Sequence, residues 1–319
     1  MTTYADMLFH LGGLPVGLGI PFSKTSHYWF VDPTQGTAGG SGSFGDPVNK
    51  VSIAESFCVA NRHDCVIYIS GSTGATEEAT LTWDKNYTHL LGIGAPTMVA
   101  QRARIHNETE TGVTPLMAIE ATGCIFKNFY IFQGVNEAVA NINVHLTGGR
   151  NYFENVHFAG GGHTAQAING GASLLMDGAE ENTLEGCTIG VDTIDAATGM
   201  VALAFDGKSQ RNTIRNSKIQ LYAGHIDCAF VEVVDGTGVD RWNSFENVKF
   251  INPNQSSYEI ASAFLIPSVD ASHRRLMIDS LCTFLGVTTL DASDRGLLFG
   301  NLDAISGADL SGVSVELKT

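Results

Sequence analysis

The sequence predicts an all-β solenoid of the parallel β-helix type, and three observations carry the prediction. An eight-residue phrase recurs: NYFENVHF from Asn151, NTLEGCTI from Asn182, NTIRNSKI from Asn212 and NSFENVKF from Asn243, with a looser copy, CIFKNFYI, from Cys124. The starts lie 31, 30 and 31 residues apart, with 27 back to the looser copy, a period typical of repeat architectures. Within the phrase, the third, sixth and eighth positions are apolar or small, so parity breaks once and a bend is required. At the break stand Asn128, Asn155, Gly186, Asn216 and Asn247, residue types that tolerate positive φ. A second phrase keeps step with the first: SLLMDG, ALAFDG and VEVVDG end at Gly178, Gly207 and Gly236, with NVHLTG at Gly148 as a relative. Alternating apolar residues before Asp-Gly mark a strand entering a turn. Each repeat therefore holds three short strands, and copies must stack to bury their apolar positions. A propeller would need longer, four-stranded blades with tryptophan signatures that are missing.

In chain order, residues 1–26 form an apolar arm outside the repeat. Leu8, Phe9, Leu11, Leu14, Val16, Leu18, Ile20 and Phe22 are interleaved with Gly and Pro, with neither helical nor strand periodicity. Such a segment lies against something else, its own solenoid or another chain. Residues 27–65 hold a lead-in strand (HYWFVDP), a Gly-rich loop from Thr34 and an amphipathic helical stretch from Val48 with Val51, Ala54, Phe57 and Cys58 on one face. A helix here covers the apolar core and strand edges that an open solenoid end exposes. The loop lacks a following Lys-Ser or Lys-Thr and has no dinucleotide spacing, so no cofactor is expected. From 66 to 300 the solenoid is expected to run, with TLTW, YTHLLGIG, AFLIPS and RRLMIDSLCTFLG as further strand text. Arg102, Arg104, His106 and Glu108 read as an exposed loop. Residues 301–319 read as a closing or swapped tail.

Composition narrows the function. A net charge of −15 with 18 scattered Lys and Arg argues against nucleic acid, whose phosphates require a basic stripe. The N-terminus has neither a basic n-region nor a long apolar run, so no signal peptide or membrane span is expected. Six cysteines at 58, 65, 124, 187, 228 and 282 show no metal-ligand spacing and read as free thiols of a chain folded in a reducing cytoplasm.

Two regions carry a resemblance to known families. Tyr28 to Pro33, Gly36 to Pro47 and Val66 to Ser70 together resemble the opening of pectate-lyase-like right-handed β-helix proteins. The leader from Tyr4 to Gly17 resembles that of structural proteins of tailed bacteriophages. The resemblance implies a right-handed coil, a homotrimer and a virion location. It implies a non-enzymatic capsid decoration or cement protein anchored to major capsid or other virion proteins by the arm. The alternative it implies is a tailspike-like depolymerase, or a protein that binds host surface glycan.

Stacking converts repeats into columns whose chemistry can be weighed. Lys127, Glu154, Glu185, Arg215 and Glu246 form a charge column, read as an ion-pair ladder. Asn151, Asn182, Asn212 and Asn243 form a second column, read as a structural hydrogen-bond ladder. Asp177, Asp206 and Asp235 form the third and the sharpest candidate site. Three carboxylates about 5 Å apart repel unless a cation or solvent intervenes. They could serve as acid and base in glycoside hydrolysis or hold calcium, while recurrence in successive repeats favours turn capping before Gly. No metal site is expected, and because no repeat offers the compact Asp and Arg constellation that pectate-lyase-like enzymes place beside calcium, lyase activity is not expected either. His157 reads as an outward, solvated residue.

Overall fold

The repeat period of about 30 residues gives each coil three short strands. The computed structural model describes residues 23–95, 97–98, 103–267, 275–291 and 297–299; most of the arm and the whole of 301–319 lie outside them. Strands of successive coils pair in parallel as three sheets of ten, eight and eight strands among the described residues. In a typical coil the chain passes Tyr152–Glu154 in the first sheet, His157–Ala159 in the second and Ala172–Asp177 in the third. The result is a right-handed parallel β-helix with its core inside the triangle of sheets.

The phrase folds as strand, one-residue corner, strand. Asn128, Asn155, Gly186, Asn216 and Asn247 all have φ between 50° and 60°. The third-position residues Phe126, Phe153, Leu184, Ile214 and Phe245 are buried, as are Ile131, Phe158, Ile189, Ile219 and Phe250 at the eighth. Phe126 and Phe153 stack with centroids 4.9 Å apart. Each such ring removes enough apolar surface from water to contribute about 2–3 kcal/mol. Cys187 is buried in the sixth column with Phe129, Val156, Ser217 and Val248, and all six cysteines are free. A second left-handed corner precedes the phrase, at Gly123, Arg150, Glu181, Arg211 and Arg241. Charged side chains give no hint of positive φ, so the sequence did not announce it.

The asparagine column is a buried ladder. The backbone amides of Asn151, Asn182 and Asn212 donate to Oδ1 of Asn182, Asn212 and Asn243 at 2.9, 2.9 and 3.0 Å. Their Nδ2 groups donate to carbonyls of the preceding coil, Ala121, Gly148 and Ala179. The charge column is half of the expected ladder. Lys127 pairs with Glu154 at 2.7 Å and Arg215 with Glu185, while Glu246 accepts from Ser244 Oγ.

At the N-terminal end, helix α1 (Val51–Phe57) turns Val51 and Ala54 inward. It is shorter than the periodicity from Val48 implied, because Val48 bridges to Val31 and Thr37 as an extended residue. Its first turn is closed by buried Glu77, which accepts from the Val51 and Ser52 amides at 2.9 and 3.2 Å and from Ser52 Oγ at 2.6 Å. Burial raises the Glu77 pKa despite these bonds. Arg104 and His106, expected on a loop, lie instead in the strand Arg104–Asn107 of the second sheet. The sheet continues through them because Ile105 between them is a core residue.

Candidate functional site

The aspartate column holds for two of its three members. Asp177 and Asp206 are register partners at the ends of Ala172–Asp177 and Val201–Asp206 in the third sheet. Register partners on neighbouring strands lie about 4.8 Å apart. Asp235 is displaced: Phe205 pairs with Val233, so the position opposite Asp206 falls to Val234. The third coil carries one extra residue before its Asp-Gly, and Asp235 caps a turn, accepting from the Thr237 amide and from its hydroxyl at 2.7 Å. Asp206 Oδ1 accepts from the Gly207 amide at 2.7 Å, so turn capping accounts for two of the three. Asp177 instead meets His145, with Oδ2 3.1 Å from Nε2. Its other oxygen abuts Gly207, where a Cβ would lie 2.0 Å away. Gly207 is thus required both by its φ of 59° and by the neighbouring coil's carboxylate.

Two partners at this face were not singled out as site residues from the sequence. His145, Leu175, Ala204 and Glu232 are in register, and each alternates with core residues, so all four face outward from the third sheet. Glu232 is therefore diagonal to Asp206, as His145 is to Asp177. Burial, and secondarily the Asp206 charge, raise the Glu232 pKa. Alongside runs an outward apolar stripe separate from the main core: Ala172, Val201, Ala204 and Ala229 are shielded, with Ile142, Leu175 and Leu265 packed against them. The legible signal was a His and a Glu in a column otherwise held by Leu and Ala. The face therefore offers carboxylates beside the partly exposed apolar side chains of Ile142, Leu175 and Leu265. Among the described residues no group of three His, Cys, Asp or Glu side chains converges as a metal ion would need.

The remaining candidates sort differently. His157 is buried at 3% exposure, not solvated. Its Nε2 donates to the Gly190 carbonyl at 2.8 Å, and Tyr130 packs edge-on at 4.8 Å. Met98, in the connection after Ile93, reaches the outer face of the second sheet, where its carbonyl accepts from Thr188 Oγ1. Burial pushes the His157 pKa down to about 4. The arm residues Leu8, Phe9, Leu11, Leu14, Val16, Leu18, Ile20 and Phe22 lie outside the described residues.

The chain resembles solved polysaccharide lyases in architecture. It matches a rhamnogalacturonan lyase at 13% identity and TM-score 0.59, covering 86% of this chain and 73% of that one. A pectate lyase, Pel9A, matches at 13% identity and TM-score 0.57, covering 90% and 80%. The chain shares the pectate-lyase-like β-helix fold. It also matches the enzymatically active domain of a bacteriophage CBA120 tailspike at 10% identity and TM-score 0.39, covering 82% and 44%. No family model matches the chain, nor does any curated protein. At these identities the likeness defines the fold and leaves function to the site.

Proposed function

We propose that the protein binds and cleaves a polysaccharide on the outer face of its third sheet. The observation that carries this reading is the diagonal placement of Asp206 and Glu232 on neighbouring strands near the partly exposed Ile142, Leu175 and Leu265, with Asp177 one coil before Asp206 and His145 one coil before that. Sugar rings present an apolar face and a rim of hydroxyls, and this surface offers the complement of both. Burial raises the Glu232 pKa, which suits it to donate a proton to the glycosidic oxygen as the C–O bond breaks. Asp206, oriented by the Gly207 amide, acts as the base that takes a proton from the water attacking the anomeric carbon, so that a new C–O bond forms as the glycosidic one breaks. The two lyases that share the fold suggest the class of substrate. Purified protein should release reducing ends from a bacterial surface polysaccharide, and Asp206→Asn and Glu232→Gln should each lower that rate at least about 100-fold while leaving the β-sheet spectrum unchanged. Activity should fall as pH rises through the Glu232 pKa. Binding to the glycan without release in wild type would reduce the role to recognition. Neither binding nor release across a panel of surface glycans would refute it.

A place on a bacteriophage particle is the second reading, favoured by the leader from Tyr4 to Gly17. As a capsid decoration protein it would co-purify with filled particles in hundreds of copies and be a trimer by light scattering. A handful of copies would place it on the tail, where a glycan-cleaving protein belongs.

A further inference from the structure

We propose that the outer face of the first sheet, over its first three coils, is the seat of the chain's own residues 1–22. The proposal is independent of the glycan reading. One outward column runs in register through the sheet: Phe30, Ile67, Leu91, Lys127, Glu154, Glu185, Arg215 and Glu246. From Lys127 onward it is charged, as a solvated solenoid face should be. Its first three members are apolar and buried, and with buried Cys65 they form a cluster separate from the main core. Their sequence neighbours Val31, Val66, Tyr68 and Leu90 belong to that core on the other side of the sheet. An outward apolar patch of this kind marks a docking surface. Phe44 of the Gly-rich loop packs on Phe30 at 5.3 Å but remains 64% exposed, and it attends to the first coil of the three.

The occupant is identified by where the chain enters and by what it carries. Ser23, the first described residue, donates its hydroxyl to the Arg62 carbonyl at 2.8 Å, three residues before Cys65 and five before Tyr28 at the start of the edge strand. Residues 1–22 are therefore delivered to the rim of the patch. Extended, they reach roughly 70 Å, whereas three strands span about 10 Å at 4.8 Å spacing. Between Met1 and Phe22 there is one acid, Asp6, and no Lys or Arg, against eight large apolar side chains from Leu8 to Phe22. Gly12, Gly13, Pro15, Gly17, Gly19 and Pro21 suit a strip laid across a surface, and the tether gives it a high effective concentration over any free partner.

The test uses the full-length chain and the native thiol in the patch. In wild type, Cys65 should resist iodoacetamide, as read by peptide mass spectrometry, with Cys282 as the reference thiol. Leu18→Asp with Ile20→Asp should speed Cys65 alkylation at least ten-fold relative to Cys282 without changing the β-sheet spectrum. Unchanged protection of Cys65 overturns the proposal. A photo-crosslinking residue at position 18, in a mixture of isotopically light and heavy chains, provides a second readout that does not depend on the aspartates. Links to 65–69 or 89–93 within one isotope support it. Links between isotopes, or none to these strands, overturn it in favour of an exchanged or externally docked arm.

Discussion

A single asparagine in the ladder carries more stability than any exposed ion pair beside it. Asn212 Oδ1 receives the Asn182 amide at 2.9 Å and Asn182 Nδ2 at 3.0 Å, and its own Nδ2 serves Ala179 and Asn243. Asn212→Ala strands these buried groups, so we expect a loss of about 3 kcal/mol in denaturant unfolding. Arg215→Ala removes a half-exposed pair with Glu185 and should cost about 0.5 kcal/mol or less. His157 makes an acid-side prediction. It is neutral in the fold because its pKa is lowered to about 4 from 6.5. The unfolded chain takes up a proton below about pH 6.5 that the fold refuses until about pH 4, so stability is lost as pH falls through that window, by about 1.4 kcal/mol per pH unit. His157→Gln retains a donor toward Gly190 and should flatten the slope by that amount in urea titrations across the window. Buried His89, with its pKa lowered to about 3, leaves a residual slope.

At the scale of elements, the helix that closes the solenoid depends on a residue from a different coil. Glu77→Ala deprives the first turn of α1 of three hydrogen bonds and should destabilise it by about 2 kcal/mol, seen as faster hydrogen exchange over residues 51–57. Glu77→Gln keeps an acceptor and loses a buried charge, so its effect should be much smaller. Elements with local causes were the ones legible in the sequence: the Asn corner, the strands either side of it, the Asn ladder and the buried Cys187. Those set by distant chain were not. His157 is buried against Tyr130 of the preceding coil and bonded to Gly190 of the following one, partners that no local pattern shows. Asp235 lost register because Asp-Gly was a better landmark than the strand before it, where one added residue shifts every later partner. Half of the candidate site was legible as Asp177 and Asp206; His145 and Glu232 emerged only when register placed them on one face.

Across the whole molecule, the three outer faces differ in character although the core beneath them is uniform. The first sheet turns from apolar to charged at Lys127, the second receives the Met98 carbonyl at Thr188, and the third keeps carboxylates beside an apolar stripe. A repeat can hold its inward columns constant because the core demands it, while outward columns are free to diverge coil by coil. The inward phrase therefore identified the fold, whereas function has to be sought in the outward positions that break the repeat.

The asparagine ladder also has a direction in time. Each coil's amide is satisfied by a side chain some 30 residues later in the chain, as Asn151 by Asn182 and Asn182 by Asn212. A coil at the ribosome whose successor is not yet made therefore lacks this buried bond together with the three strand pairings it shares with that successor.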